Sequence, residues 1–273
     1  MDGASRESMR TALTRFEEQV GRAGDSRAAG QVSEGLYAVA GLLDREPSLR
    51  RALTDPASSP DSRRGLVQGL FGSQLDAAPL QVLTELAQSP WHSPADLREA
   101  VETLAAQAAL VAAEADGVLD DVEDELFRFA RLLEREPSLR AALTDPGLPD
   151  DRKAGLLQTL LGSQARPATL RLVEVAVTRP RGRSLEGALD EFSRLAAARR
   201  QRLVAEVRAA APLTEAQTER LSAVLARIYG RQVQLQVDVD PGVLGGVQVR
   251  VGDEVLDGTV ARRLDEVRRR LTR

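Results

Sequence analysis

The sequence predicts a mainly α-helical protein, with a duplicated helical bundle region followed by a small α+β domain. Three observations support this fold class: an internal repeat at an offset of 90 residues, helical spacing of apolar residues through residue 198, and alternating apolar and polar residues after Arg199. We therefore divide the chain into a first helical module at residues 1–92, a second module at residues 93–198 that repeats the first, and an α+β domain at residues 199–273.

The internal repeat is clearest in two fifteen-residue segments. Residues 42–56 read LLDREPSLRRALTDP and residues 132–146 read LLEREPSLRAALTDP, so 13 of 15 positions match. The match continues without gaps as far as two Gly-Ser-Gln sequences, at residues 72–74 and 162–164. Two copies are fewer than the ~3 repeats that a solenoid needs. We interpret the repeat as a duplicated helical module.

Each copy has the apolar spacing of an amphipathic helix. Leu36, Val39, Ala40 and Leu43 fall at i, i+3, i+4 and i+7, and the second copy repeats this pattern from Leu126. Prolines that can open helices and Asp-Pro pairs that mark turns separate the remaining segments. We predict a first helix carrying Met9, Leu13 and Phe16, and further helices at residues 61–71, 79–88, 94–115, 151–161, 168–178 and 185–198.

The C-terminal domain has the alternation typical of half-buried strands. The predicted strands lie near residues 203–207, 233–239 and 247–251, with a short strand at 255–256. Thr214 and Gln217 form a capping box that opens a helix after the first strand. A last helix carries apolar residues at positions 260, 264, 267 and 271. The predicted order is β-α-β-β-α.

Composition excludes several kinds of function. The chain has no cysteine, which excludes disulfides and thiolate catalysis. A net charge of −4 and 3% aromatic residues argue against nucleic acid as the main partner. The charge is uneven, with +4 on residues 199–273 and −8 on residues 1–198. No signal peptide is present and no apolar segment reaches the ~20 residues of a membrane span, so we expect a soluble chain that reaches a membrane only through a partner.

Candidate catalytic residues are few and scattered. His92 is the only histidine and lies beside Trp91 between two prolines, which favours a surface loop over a catalytic site. We interpret Trp91 as a packing residue at the junction of the modules, with partner contact as the alternative. No Gly-x-Ser-x-Gly motif is present. We therefore predict a binding protein rather than an enzyme, with no catalytic, cofactor-binding or metal-binding residues.

Charged segments have simple structural interpretations. The acidic segment at residues 116–125 lacks the order of a calcium loop, and acidic residues at the start of a helix explain it better. Arginines cluster near residues 179–183, 199–202 and 268–270. We interpret these clusters as solvated faces, with contact to an acidic partner helix as the alternative for the last one.

The segment LGGVQVRVGDEVLDG carries a specific resemblance. A Gly-Gly pair entering an alternating strand, a Gly-Asp turn, and an Asp-Gly pair before an arginine-rich helix resemble the signature of the delta subunit of F-type ATP synthases, the family that includes mitochondrial OSCP. The segments at residues 211–214, 229–231 and 238–241 follow the family's order and spacing. The signature positions, which we expect to be structural, are Leu244, Gly245, Gly246, Val247, Gly252, Asp253, Asp257 and Gly258.

The resemblance implies a non-catalytic stator subunit without cofactors. In this family the helical bundle holds the N-terminal segments of alpha subunits on the catalytic head, and the C-terminal region engages the b subunits of the peripheral stalk. The subunit thereby resists rotor torque and couples proton transport to ATP synthesis at the cytoplasmic face of the bacterial cell membrane.

The chain also resembles a long form of the family, found in some high-GC bacteria, because it carries one additional repeat. The resemblance leaves open which copy binds the alpha-subunit segment, what the duplicated segment does, and whether the b partner is a separate or a fused chain. Two other classes stay open on the residues alone, a generic helical adaptor and an RNA-associated protein that uses the α+β tail. Copurifying partners would distinguish these classes.

Overall fold

The computed structural model describes residues 3–257, apart from residues 22, 181, 201–202, 230–232, 241–242, 244–245 and 252–253. The chain divides into two compact units, residues 1–197 and residues 198–273. The first unit is helical throughout its described part, and the second contains a small mixed sheet. The predicted fold class, mainly α with a C-terminal α+β domain, is confirmed.

Eleven helices build the described part of the first unit. They are α1 Gly3–Phe16, α2 Ser26–Arg45, α3 Pro47–Thr54, α4 Pro60–Phe71, α5 Ala77–Gln88, α6 Pro94–Ala115, α7 Leu119–Arg135, α8 Pro137–Thr144, α9 Asp150–Leu161, α10 Pro167–Thr178 and α11 Leu185–Arg200. A short π-helical segment, Glu17–Gly21, continues α1. All six helices predicted with bounds occur within about two residues of those bounds, as expected where helix ends carry clear signals.

The sequence repeat is also a backbone repeat. Helices α3, α4 and α5 recur as α8, α9 and α10 at the same 90-residue offset. Glu46 lies between α2 and α3 and has φ −118° and ψ 80°, and Glu136 lies between α7 and α8 and has φ −119° and ψ 77°. The carboxylates of Asp55 and Asp145 each accept a hydrogen bond from the backbone N–H two residues later, at 2.9 and 2.8 Å. Identical turn chemistry therefore produces identical turns.

Helix α6 occupies two places in the repeat. The helix 90 residues later in the chain is α11, the last helix of the second copy. The helix 90 residues earlier is α1 with its π-helical extension, the first helix of the first copy. It packs against helices of both copies. Those that precede it in the sequence are α1, α2, α3 and α5, and those that follow it are α7 and α10. Fourteen of its 22 residues are buried, as expected for a helix with neighbours on several faces. The division of the helical region after residue 92 stays a prediction, since α6 serves both copies.

Helix α1 is tied to the corner between α5 and α6 by two buried serines. The Ser5 hydroxyl donates to Asp96 Oδ2 at 2.7 Å and accepts from the backbone N–H of His92 at 2.8 Å. The Ser8 hydroxyl donates to the carbonyl oxygen of Pro90 at 2.6 Å. Polar groups that are removed from water in this way require such partners, so the corner specifies where α1 lies.

The described part of the second unit forms a four-stranded sheet covered by one helix. Its elements are β1 Leu203–Ala209, α12 Glu215–Tyr229, β2 Val233–Val239, β3 Val247–Val251 and β4 Glu254–Asp257. The strand order is β2-β1-β3-β4, with β1 and β2 parallel and the other pairs antiparallel. The short strand expected at residues 255–256 is found as β4, and the predicted terminal helix lies outside the described residues.

The predicted start of α12 is confirmed by its hydrogen bonds. The Thr214 backbone N–H donates to Gln217 Oε1 at 2.8 Å, and the Gln217 backbone N–H donates to Thr214 Oγ1 at 3.3 Å. A small apolar cluster then holds the helix on the sheet; its buried residues are Ala205, Val207, Leu225, Val233, Leu235, Val249 and Val251. The second unit therefore has a core of its own.

We predict that Gly35→Ala in α2 destabilises the helical unit. A Cβ atom at residue 35 would lie 2.8 Å from the Cβ atom of Pro79 in α5. Overpacking of this kind costs about 1–3 kcal/mol, which exceeds the roughly 0.5–1 kcal/mol that alanine contributes over glycine in a helix. We expect a net loss of about 1 kcal/mol in the free energy of unfolding, measured by urea denaturation with far-UV circular dichroism.

Gly30→Ala is the matched control on the same helix. A Cβ atom at residue 30 meets no atom within 4 Å, so the helix preference of alanine should stabilise the unit by about 0.5–1 kcal/mol. Equal stabilities for the two variants would contradict the close approach of α2 to α5.

Candidate partner-binding site

The described signature residues lie in the sheet of the second unit. Gly246 has φ +82°, a left-handed conformation that favours glycine, directly before β3. Val247 begins β3 opposite Ala209, and Asp257 ends β4 opposite Gln248. The signature residues Leu244, Gly245, Gly252, Asp253 and Gly258 lie outside the described residues. A purely structural role for the whole signature stays a prediction.

Trp91 and His92 occupy the places that the sequence analysis favoured. Trp91 is buried, and its indole N–H donates to the carbonyl oxygen of Leu86 at 2.6 Å. His92 is exposed in the loop before α6. The packing interpretation of Trp91 and the surface-loop interpretation of His92 are confirmed.

The acidic segment at residues 116–125 spans the start of α7 and ties two helices of the second copy together. Asp121 lies in the first turn of α7 and binds the Arg166 guanidinium, with Nη2 2.7 Å from Oδ2. Glu125 Oε2 accepts from the backbone N–H of Arg166 at 2.9 Å and from the hydroxyl of Thr169 at 2.5 Å. The described residues contain no group of three or more potential metal ligands. The segment therefore opens a helix and fastens it to α10.

Two arginines interpreted from sequence as part of a solvated face are structural. Arg179 Nη1 donates to the carbonyl oxygen of Tyr37 at 2.6 Å. Arg183 pairs with Glu191 on α11 and lies 3.9 Å from Glu102 on α6. The solvated-face interpretation of these two residues is wrong, because the repeat folds back on itself and brings their charges against α2 and α6.

One surface between helices of the first unit is covered by another helix of the same chain. Helix α2 packs against α6, and this contact is the most extensive between helices in the described part of the chain. Side chains of α2 also reach α10 of the second copy. Glu34 on α2 pairs with Arg171 on α10 at 3.6 Å. Gly41 leaves room for Arg179, whose Nη2 would lie 2.7 Å from a Cβ atom at that position. We call this arrangement the internal junction.

Tyr37 is the central side chain of the internal junction. It is 3% exposed and lines a cavity of about 20 Å³ together with Ala106 of α6 and Val175 of α10. Burial raises the pKa of the Tyr37 phenol above its ordinary value, and the nearby Glu102 carboxylate raises it further. The junction therefore holds α2 against α6 and α10 through one aromatic ring, one ion pair and one arginine–carbonyl hydrogen bond.

Ninety residues earlier in the chain, the helices equivalent to α6 and α10 are α1 and α5. These helices are joined by Gln19, whose side-chain amide donates to Glu85 Oε1 at 2.6 Å. Met9 and Leu13 on α1 correspond to Glu99 and Thr103 on α6, and both apolar side chains are only partly buried against the core. We call this surface the α1–α5 groove. Sequence reasoning noted Met9 and Leu13 but not their relation to α6, which only the 90-residue offset reveals.

The fold and its internal junction define a helical scaffold protein, in which one helix of the chain packs against two others. A family profile for the ATP synthase delta (OSCP) subunit matches residues 104–271. The protein named ATP synthase subunit delta from Frankia alni is 50% identical over 277 residues and covers 100% of both chains. Proteins with the same name from Streptomyces griseus and Thermobifida fusca are 49% and 45% identical, each with 99% of both chains covered.

The chain therefore belongs to the family of ATP synthase delta (OSCP) subunits. It is a non-catalytic stator subunit of F-type ATP synthase and a peripheral component of that membrane-bound complex. No helix in the described ranges combines the length and apolarity needed to cross a membrane. A chain of the Toxoplasma gondii mitochondrial ATP synthase hexamer is 22% identical and covers 62% of this chain at a TM-score of 0.27, which is too low to support a structural inference.

We predict that Tyr37 makes the helical unit sensitive to alkaline pH. Its pKa is raised in the folded state, so the folded chain holds the phenol proton more tightly than the unfolded chain. This contribution is present below the unfolded pKa of about 10 and is lost as the pH rises above it, at about 1.4 kcal/mol per pH unit. Free energies of unfolding measured at several pH values between about 9 and 11 should therefore fall steeply.

Tyr37→Phe is the control, because phenylalanine fills the same volume and has no ionisable group. The difference in stability between the two proteins should shift in favour of the variant as the pH rises through this window. Parallel stability curves for both proteins would contradict the burial of Tyr37.

Proposed function

We propose that this subunit links the catalytic head of ATP synthase to its peripheral stalk on the cytoplasmic face of the bacterial membrane. In this proposal the helical unit binds an N-terminal segment of an alpha subunit, and the unit at residues 198–273 binds the b subunits. The family resemblance supports both assignments. The charge division supports two different partners, because residues 1–198 carry −8 and residues 199–273 carry +4.

The α1–α5 groove is the proposed site for the alpha-subunit segment. The observation that carries this proposal is the internal junction, in which the chain's own α2 fills the equivalent surface between α6 and α10. That surface is closed, because Tyr37 is 3% exposed there. A partner helix therefore has access to the α1–α5 groove and not to the equivalent surface between α6 and α10.

The chemistry of the α1–α5 groove fits an amphipathic helix. Met9 and Leu13 are one turn apart on α1 and replace the polar Glu99 and Thr103 of the second copy. An apolar strip between two packed helices binds partner side chains at i, i+3 or i+4, and i+7. Glu85 on α5 lies beside this strip and would accept a basic residue at its edge.

We predict that a peptide from the N-terminus of the cognate alpha subunit binds the full chain. The double variant Met9→Glu with Leu13→Glu should weaken this binding at least about tenfold. Buried carboxylates without partners would oppose an apolar helix. Isothermal titration calorimetry would measure the dissociation constants, with circular dichroism to verify folding.

The matched control changes the equivalent positions of the second copy, Glu99→Ala with Thr103→Ala. This variant should bind the peptide as the unchanged protein does. Weaker binding by the control and unchanged binding by the α1–α5 variant would assign the segment to the second copy instead.

We predict that a chain ending at Arg200 separates head binding from coupling. The truncated subunit should still bind the head through its helical unit but should fail to support ATP-driven proton pumping in inverted membrane vesicles. ATP hydrolysis should persist, because a stator contributes no chemical step. Solubility must be verified first, since truncation can expose apolar surface. Full-strength pumping with the folded, truncated chain would refute the assignment of residues 198–273 to the stalk.

A further inference from the structure

Helices α2 and α7 are equivalent in the two copies and are buried in the same way on one face. The four core residues of α2 are at most 2% exposed, and those of α7 are at most 3% exposed. These residues are Val32, Leu36, Val39 and Leu43 in α2, and Val122, Leu126, Phe129 and Leu133 in α7. Each helix therefore sits in its own copy with the same orientation.

The second face of the two helices differs. In α2 this face forms the internal junction, and Tyr37 is 3% exposed. The equivalent residue of α7 is Phe127, which is 61% exposed. Asp124 and Arg131 flank Phe127 at i−3 and i+4, and both are exposed. We call these three residues the α7 face.

The internal junction shows what a helix on the α7 face would have to offer. On α2, Glu34 meets Arg171 of α10, and Tyr37 and Val175 of α10 line the same cavity. The described part of residues 198–273 forms a sheet and one helix, so it contains no third copy of α10.

We propose that the α7 face binds a helix from another subunit of the ATP synthase complex. This helix presents an arginine toward Asp124, an aliphatic residue one turn later toward Phe127, and an acidic residue a further turn later toward Arg131. The first two follow the internal junction, in which α10 places Arg171 and Val175 four residues apart. The site lies on a different helix from the α1–α5 groove.

The contact proposed for Arg131 requires a partner residue of opposite charge to the one found in the internal junction. Gly41 of α2 leaves space for Arg179, whereas Arg131 stands at the equivalent position of α7. A second arginine in the partner would meet Arg131 and be repelled, and a carboxylate would be attracted. The α7 face therefore selects a helix that differs from the chain's own α10.

A second copy of this chain does not fit the α7 face. The α10 helix of any copy is already held by its own α2. The equivalent helix of the first copy, α5, presents Gln81 and Glu85 where α10 presents Arg171 and Val175. Glu85 would then lie against Phe127, with no arginine opposite Asp124.

The present partners of the two charged residues do not block docking. Asp124 pairs with Arg128 at 2.5 Å, and Arg131 pairs with Glu134 at 2.9 Å, all within α7. Every side chain in these two pairs is more than half exposed. Exposed ion pairs within one helix contribute little stability, so a partner helix can replace them.

The test places a photo-crosslinking amino acid on the α7 face in the assembled complex. Phe127→p-benzoylphenylalanine should crosslink to a helix of another ATP synthase subunit, and mass spectrometry should locate the arginine-aliphatic-acidic pattern at that site. The matched control is Leu132→p-benzoylphenylalanine. Leu132 is a second exposed apolar residue of α7, at 37% exposure, but it lies about 140° around the helix from Phe127.

Substitutions then test the chemistry, with a peptide of the crosslinked helix as the probe. Phe127→Ala and Asp124→Arg should each weaken its binding about tenfold or more, while Leu132→Ala leaves it unchanged. Crosslinking to a second copy of this chain, to its own residues or to nothing would overturn the proposal. So would a crosslinked helix without the charge pattern, or equal crosslinking from Leu132.

Discussion

The packing of α6 is the constraint on which the helical unit depends. One helix serves as the last element of the first copy and the first element of the second. All of its faces must therefore be compatible with neighbouring helices, which explains why fourteen of its 22 residues are buried. Alanine dominates its sequence because small side chains let several helices approach one axis at once. The duplicated region is consequently a single packed unit and not two separate bundles.

The internal junction also explains which residues line it. The first copy has Ser33 and Gly41 on the α2 face that enters the internal junction, where the second copy has Glu123 and Arg131. Small residues suit a helix buried on two faces, and charged residues suit a helix buried on one face. The residue differences between the copies therefore indicate which helix faces are covered by other helices of the same chain. The same reasoning leads from Tyr37 to Phe127 as the exposed member of an equivalent pair.

Local sequence signals predicted most of the fold. Helix bounds, the capping box at Thr214, the strand alternation after Arg199 and the 90-residue offset all act over short distances, and each was found in the structure. The surfaces were harder to predict, because periodicity shows which face of a helix is buried but not which helix buries it. Nothing in the neighbourhood of Arg179 indicates that it binds a carbonyl group 142 residues earlier in the chain.

Sharing a helix between two bundles has a mechanical consequence. Two bundles joined by a loop would form a compliant joint, at which an applied load bends the linker before it reaches the second bundle. Here the element that joins the copies is a continuous α-helix of 22 residues, about 33 Å long, and helices of both copies pack against it. A load on either copy therefore acts on a helix that the other copy also holds, with no flexible linker between them. Duplicating the module in this way adds a second set of helices without a flexible linker, a property that suits a part which must resist torque.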